Sequence, residues 1–296
     1  MDDLVKARMT PEERLRNHHE KLVSTIQSLA DRARNNPADS SLFICWCREN
    51  LIPHMEAEEA TFYAASGHDE VAGNLAREHK EIKLSLDVID YAFIHTRMES
   101  IAMVITDFMN LLEQHRKRED DALIPELQAK LSQGGIQSLI EESLSIEAGK
   151  RISDVRSLLE YDHMRINLNI SALHGAEGDR AVARNLYSVV RAQLLKHIDL
   201  EERFVFPAFD ERYGTDNENY INSLLAEHVQ IASCISVPPS QLDSATFSNV
   251  LRRLTVMVAA HRKDEEAILY PLINRKFRRE IREKLYEECF QELLLV

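Results

Sequence analysis

Pro53-His54-Met55-Glu56-Ala57-Glu58-Glu59 sets a histidine four residues before a glutamate. Four residues is close to one helical turn, so the imidazole and the carboxylate leave the same face of a helix, as a metal ion requires of one helix. The spacing recurs at His115 and Glu119, at His197 and Glu201, and at His261 and Glu265. Subtracting positions gives 143 both for His54 to His197 and for Glu58 to Glu201, and 146 both for His115 to His261 and for Glu119 to Glu265. The chain is therefore read as a tandem duplication of an array of His/Glu helices.

Aligning the apolar residues around these pairs brings two more histidines into each copy. Leu15, His19, Leu22 and Ile26 have the spacing of Leu159, His163, Ile166 and Ile170, while Glu78-His79 with Ile82 matches Glu227-His228 with Ile231. Half one then carries His19, His54, Glu58, His79, His115 and Glu119, and half two carries His163, His197, Glu201, His228, His261 and Glu265. Histidine is only 12 of 296 residues, which makes two coincidental copies implausible. At the first position His18 rivals His19; the alignment on Leu15 and Leu22 favours His19 and pairs His18 with Asp162.

A chain of 296 residues can close two ordinary cores, one per half. The net charge of −13 speaks against nucleic acid or an anionic membrane as partner. The opening residues do not resemble a secretory leader and no apolar run suffices to span a bilayer, so a cytoplasmic location is the expectation. Cys45, Cys47, Cys234 and Cys289 form no repeated framework and are expected as reduced thiols, Cys45-Trp46-Cys47 in core packing.

Glycine and proline, 8 each, lie mostly between long stretches of helical apolar period, predicting an all-α protein. In half one, helices are expected from Thr10-Pro11 to about Arg34, over 40–63, 69–95 and 99–131; in half two, over 151–174, 179–213, 217–235 and 243–276. Four helices on short loops pack as an up-down-up-down bundle, giving domains at 1–135 and 151–276. Residues 136–150 are expected as a helical linker running into the first helix of half two. Phe277, Ile281, Leu285 and Cys289 predict a C-terminal amphipathic helix over 277–296 that covers a bundle, with a dimer contact as the alternative.

Six inward ligands per half are too many for one tetrahedral zinc and suit two ions sharing carboxylates. Imidazole and carboxylate without thiolate favour iron over manganese or a mixed pair. Four histidines and two glutamates leave both ions with open positions for a bridging oxygen and a diatomic or peroxide ligand. A lone His-x-x-x-Glu is ordinarily a surface ion pair. Here each of the four glutamates is followed by another acid (Glu59, Asp120, Glu202, Glu266), and three have a proline six residues on (Pro125, Pro207, Pro271), a pattern no surface requires.

This pattern, with the local phrases Pro53 to Glu59 and Arg77-Glu78-His79-Lys80-Glu81-Ile82, resembles two hemerythrin-like domains of the HHE cation-binding type across nearly all of residues 10–276. The resemblance implies a four-helix bundle around an oxo- or hydroxo-bridged di-iron centre in each half. It also implies an activity in binding or sensing O2 or nitric oxide, or in repairing damaged iron centres. Oxygen carriers of the family have a fifth histidine four residues from that of the third helix and an aspartate on the fourth. The corresponding positions here are Leu75 and Lys83, and Leu224 and Ala232, and the fourth-helix acid is a glutamate. The expectation is a nitric-oxide- or O2-binding protein of nitrosative or oxidative stress rather than an oxygen carrier. Alternatives are a peroxidase or nitric oxide reductase fed by a protein electron donor, and a sensor acting through a partner. Tyr63 and Tyr270, five residues after Glu58 and Glu265, are read first as core tyrosines and otherwise as groups beside the metal or radical sites. His68, His95 and His174, without counterparts across the repeat, are read as solvated.

Overall fold

A computed structural model describes residues 10–67, 70–95, 98–150, 154–213, 218–238 and 243–293. Among them no strand occurs, and the chain divides into two compact units, one of residues 1–93 and 97–151 and the other of residues 152–296 with the short stretch 94–96.

In the first unit, α1 (Pro11–Asn35) starts on a capping box in which Thr10 and Glu13 satisfy each other's backbone N–H groups, with Pro11 in the first turn. After a short turn at Pro37–Asp39, one long helical rod runs through α2 (Ser40–Trp46), a π turn (Cys47–Leu51), α3 (Ile52–Glu58), a second π turn (Glu59–Tyr63) and α4 (Ala64–Ser66). Gly67 ends it at φ +87°, a left-handed conformation that glycine adopts without strain. Then follow α5 (Glu70–Ile94) and α6 (Met98–Arg118), which passes through a π turn (Glu119–Leu123) into α7 (Ile124–Lys130). A fifth helix, α8 (Gln133–Lys150), packs against α1 and α3, burying Ile136 and Ile140.

The second unit repeats this order: α9 (Val155–Gly175); α10 (Arg180–Leu200), a π turn (Glu201–Val205) and α11 (Phe206–Tyr213); α12 (Glu218–Cys234); α13 (Ser244–Asp264), a π turn (Glu265–Leu269) and α14 (Tyr270–Lys276); and α15 (Arg279–Leu293). Asp154 and Ser157 form a capping box of their own, so α9 begins afresh and is not the continuation of the helix before it that the apolar pattern predicted. That preceding helix, expected as a linker, lies within the first unit as its fifth member. The C-terminal helix α15 closes the second unit over α9 and α10, with Phe277, Leu285 and Cys289 in the core. Cys45 and Cys47 are wholly buried and all four cysteines are free thiols, as the unrepeated spacing implied. No helix among the described residues is long and apolar enough to cross a membrane.

The π turns have a cause in the sequence. Of the five among the described residues, four are followed, one residue later, by a proline: Pro53, Pro125, Pro207 and Pro271. Proline has no N–H for the ordinary bond and its ring collides with the carbonyl four residues back, so the preceding turn widens. Ile52, Ile124, Phe206 and Tyr270 then donate five residues back, to the carbonyls of Cys47, Glu119, Glu201 and Glu265. Three of these acceptors are the glutamates singled out above. The residue five positions after such a glutamate is thereby brought round to the glutamate's own face.

Candidate metal centre

All twelve residues singled out from the sequence are buried, at most 5 % exposed, and converge in two clusters, one at the middle of each unit. In the first, Glu58 stands between two pairs of imidazoles. Its Oε1 lies 3.1 Å from His19 Nε2 and 3.2 Å from His54 Nε2, and its Oε2 lies 3.6 Å from His79 Nε2. His79 and His115 bring their Nε2 atoms within 3.0 Å of each other, and Glu119 lies 3.3 Å from His115. His19, His54 and Glu58 thus offer one set of ligand atoms, and Glu58, His79, His115 and Glu119 another, with Glu58 common to both. His19 is the inward member of the pair it forms with His18, which is half-buried and turned to another helix.

The second unit builds the same cluster from His163 and His197, whose Nε2 atoms are 3.1 Å apart, and His228 and His261, 3.2 Å apart. Here both glutamates reach both pairs: Glu265, the counterpart of Glu119, sets Oε2 3.0 Å from His163 and Oε1 3.1 Å from His261, and Glu201, the counterpart of Glu58, sets Oε2 3.5 Å from His197 and 3.2 Å from His228.

The outer nitrogens explain why the inner ones face one another. Nδ1–H donates to a carboxylate in six of the eight histidines: His54 to Glu147, His79 to Glu59, His115 to Glu78, His197 to Asp162, His228 to Glu202 and His261 to Glu227, over 2.8–3.3 Å. An ionised carboxylate only accepts, so these hydrogen bonds fix the proton on Nδ1 and leave the Nε2 lone pair pointing inward. Paired lone pairs 3.0–3.2 Å apart repel unless a cation lies beside them. Two nitrogens held at right angles about 2.1 Å from one ion stand about 3.0 Å apart, which fits this spacing. Glu58 Oε2 and both carboxylate oxygens of Glu201 and Glu265 are buried without a hydrogen-bond donor, a costly state that a bound cation relieves. The donor set thus fits a metal.

Without metal the clusters hold protons instead. Burial pulls His54 down, but Glu58 and Glu147 outweigh it and raise this imidazole to about 10. His197 also rises to about 10 against its burial, through Glu201 and Asp162. Burial likewise opposes ionisation of Glu58 and Glu265, yet the imidazoles around them hold both carboxyls well below the usual range.

The widened turns bring aromatic rings to the clusters. Tyr63 stacks on His79, ring centroids 5.2 Å apart, and its hydroxyl donates to Glu119 Oε1 at 2.7 Å. In the second unit the equivalent position is Phe206, stacked on His228 at 5.4 Å, and the tyrosine appears instead at Tyr270, stacked on His163 with its hydroxyl 3.0 Å from Nδ1. Each unit thus has one phenol at its cluster, against opposite imidazole pairs. Burial, reinforced by Glu119 at Tyr63 and by Glu265 at Tyr270, raises both phenols, so they stay protonated. Both tyrosines are core residues, as expected, and each reaches the cluster of its unit.

Two copies of one model, that of the hemerythrin HHE cation-binding domain, match residues 10–127 and 154–273. The chain belongs to the hemerythrin HHE family. It is a tandem member, and its cation-binding character follows from the family and from the two clusters together. No curated protein and no solved structure matched the chain significantly.

For this hemerythrin-like chain, the carboxylates behind the histidines were in part legible: Glu59, Glu78, Glu202 and Glu227 each adjoin a residue of the repeated array, and Asp162 was aligned with His18. Glu147 carried no signal, because it lies 93 residues from His54 in sequence. His95 and His174 are exposed, His174 reaching Thr255 and Glu177; His68 lies outside the described residues.

Proposed function

We propose that each unit holds a pair of iron ions on its four histidines and two glutamates, and that the protein binds nitric oxide or O2 in nitrosative or oxidative stress or in the repair of iron centres. The observation that carries this is the convergence of Nε2 lone pairs, locked inward by carboxylates, on glutamates that reach both imidazole pairs. Imidazole and carboxylate without thiolate suit iron, with manganese or a mixed pair ranked below it. Iron bound there supplies open coordination positions and a one-electron couple for a small ligand.

The residues of the chain set which ligand enters. A small cavity of about 20 Å³ adjoins the first cluster, where Leu22, Leu51, Met55 and Leu112, together with Arg116, line the approach to His19 and Glu58. So small an opening has room for a diatomic and none for a metabolite of ordinary size. Leu75 and Leu224, at positions where an oxygen carrier would offer a further imidazole, are buried among apolar side chains. No protein ligand saturates either ion, so reversible oxygen carriage is not expected.

The test is to mix the reduced, iron-loaded protein with nitric oxide and, separately, with O2 in a stopped-flow spectrometer, and then to evacuate each. Prompt binding of nitric oxide and oxidation by O2 that evacuation does not reverse are expected. O2 uptake reversed by evacuation would establish an oxygen carrier instead. The buried phenols of Tyr63 and Tyr270 favour one further reading, turnover of peroxide or nitric oxide with electrons from a protein donor; consumption of many equivalents per iron would establish it.

A further inference from the structure

The two clusters are near copies, yet the carboxylate behind the second-helix histidine comes from different places. In the second unit it is Asp162, on α9, one residue before His163. Its Oδ2 accepts from His197 Nδ1 at 3.0 Å and its Oδ1 accepts from Gln193 at 3.1 Å. The duplication aligns Asp162 with His18. An imidazole at this place cannot supply the anionic acceptor that His54 needs. The first unit meets the need from its fifth helix. Glu147, 2 % exposed, presents one oxygen, Oε2, to both His54 Nδ1 at 3.3 Å and His18 Nε2 at 2.9 Å. Glu147 is the sole carboxylate on the buried face of α8, beside Ile136, Ile140 and Ser143.

We propose that Glu147 is a positioning residue of the first metal centre: from the fifth helix it holds His54 with Nε2 turned toward Glu58, the part that Asp162 takes for His197 in the second unit. The inference rests on the metal reading above. It makes α8 part of the first centre, and it makes the centre depend on a helix outside the four that carry its ligands. Carboxylates behind metal-binding histidines orient the ring and raise its basicity, and removing one typically weakens metal binding by about ten- to a hundred-fold.

The experiment uses the full chain loaded with iron and follows iron loss to a chelator over increasing chelator concentration. The component that Glu58→Ala removes belongs to the first centre. Glu147→Ala should shift this component by about ten- to a hundred-fold toward release while the other component stays in place. Glu147→Gln, which keeps an acceptor oxygen without the charge, should fall between. The decisive variant adds His18→Asp to Glu147→Ala, rebuilding the arrangement of Asp162 and His197, and should restore much of the retention. A merely structural role for Glu147 would not be rescued in this way, and Ile140→Ala, which loosens the same helix without touching His54, would lower retention as much. That pair of results, or an unshifted first component in Glu147→Ala, overturns the inference. A wild-type chain that retains no iron overturns the metal reading and this inference with it.

Discussion

At the residue scale the histidines and their carboxylates form a charge system whose state depends on pH. In the metal-free protein His54 and His197 are raised to about 10, and His115 and His261 to about 9, in each case by neighbouring carboxylates against the opposing effect of burial. A group raised on folding from 6.5 stabilises the fold fully below 6.5 and loses this contribution as pH climbs through its folded value. The carboxyls act in the opposite sense: Glu147, whose hydrogen bonds from His18 and His54 overcome burial and hold it at about 2, contributes fully above 4.5 and loses this as pH falls through 2. The chelator-stripped protein should therefore be most stable between about pH 4.5 and 6.5 and weaken toward pH 10, as a series of denaturant melts would show. A melting midpoint that rises steadily from pH 6.5 to 10 would contradict the assignment. Iron must displace the same protons, so its apparent affinity should increase from pH 6 to 9, with proton release on binding. Tyr63→Phe should fold and keep metal, because Phe206 already fills the equivalent place in the second unit; the cost is the hydrogen bond to buried Glu119, about 1–3 kcal/mol in a denaturant melt of the metal-free protein.

At the element scale, the helices that carry the ligands were legible and their company was not. The His-x-x-x-Glu spacing, the apolar period and the capping residues place α1, α3, α5 and α6 and their counterparts, since each is a local signal on one stretch of chain. Proline six residues after Glu119, Glu201 and Glu265 was visible as a regularity, but its consequence, a widened turn that swings Tyr270 and Phe206 onto the ligand face, depends on backbone geometry that a residue count does not give. The apolar residues of 136–150 foretold a helix without saying what it would cover. Glu147 was unreadable because its partners lie on α1 and α3. The C-terminal helix can be tested in isolation from the metal. Leu285 is packed in the core of the second unit beside Cys289 and Phe277. Leu285→Ala leaves a cavity there and should destabilise that unit by roughly 2–5 kcal/mol in a denaturant melt while leaving the first unit's metal in place. A change below about 0.5 kcal/mol would mean that α15 contributes little to the fold.

At the scale of the whole molecule the duplication has left two units that each own a core and a cluster of four histidines and two glutamates. No residue of the first cluster is borrowed from residues 152–296, and none of the second comes from before Arg151. Metal loading should accordingly be separable. The counting of ligands predicts about four iron ions per chain, two to a unit. Glu58 is shared by both ligand sets of the first cluster, so Glu58→Ala removes an acceptor that both ions need and leaves the buried imidazoles facing one another without their bridging anion. Metal analysis of this variant should find about two ions per chain, the loss confined to the first unit, and Glu265→Ala should give the same count by emptying the second. The double variant should then hold almost none. The alternative is a single cooperative site system in which one centre organises the other. Under that arrangement Glu58→Ala alone would strip both units, and the independence expected from two complete ligand sets would be disproved.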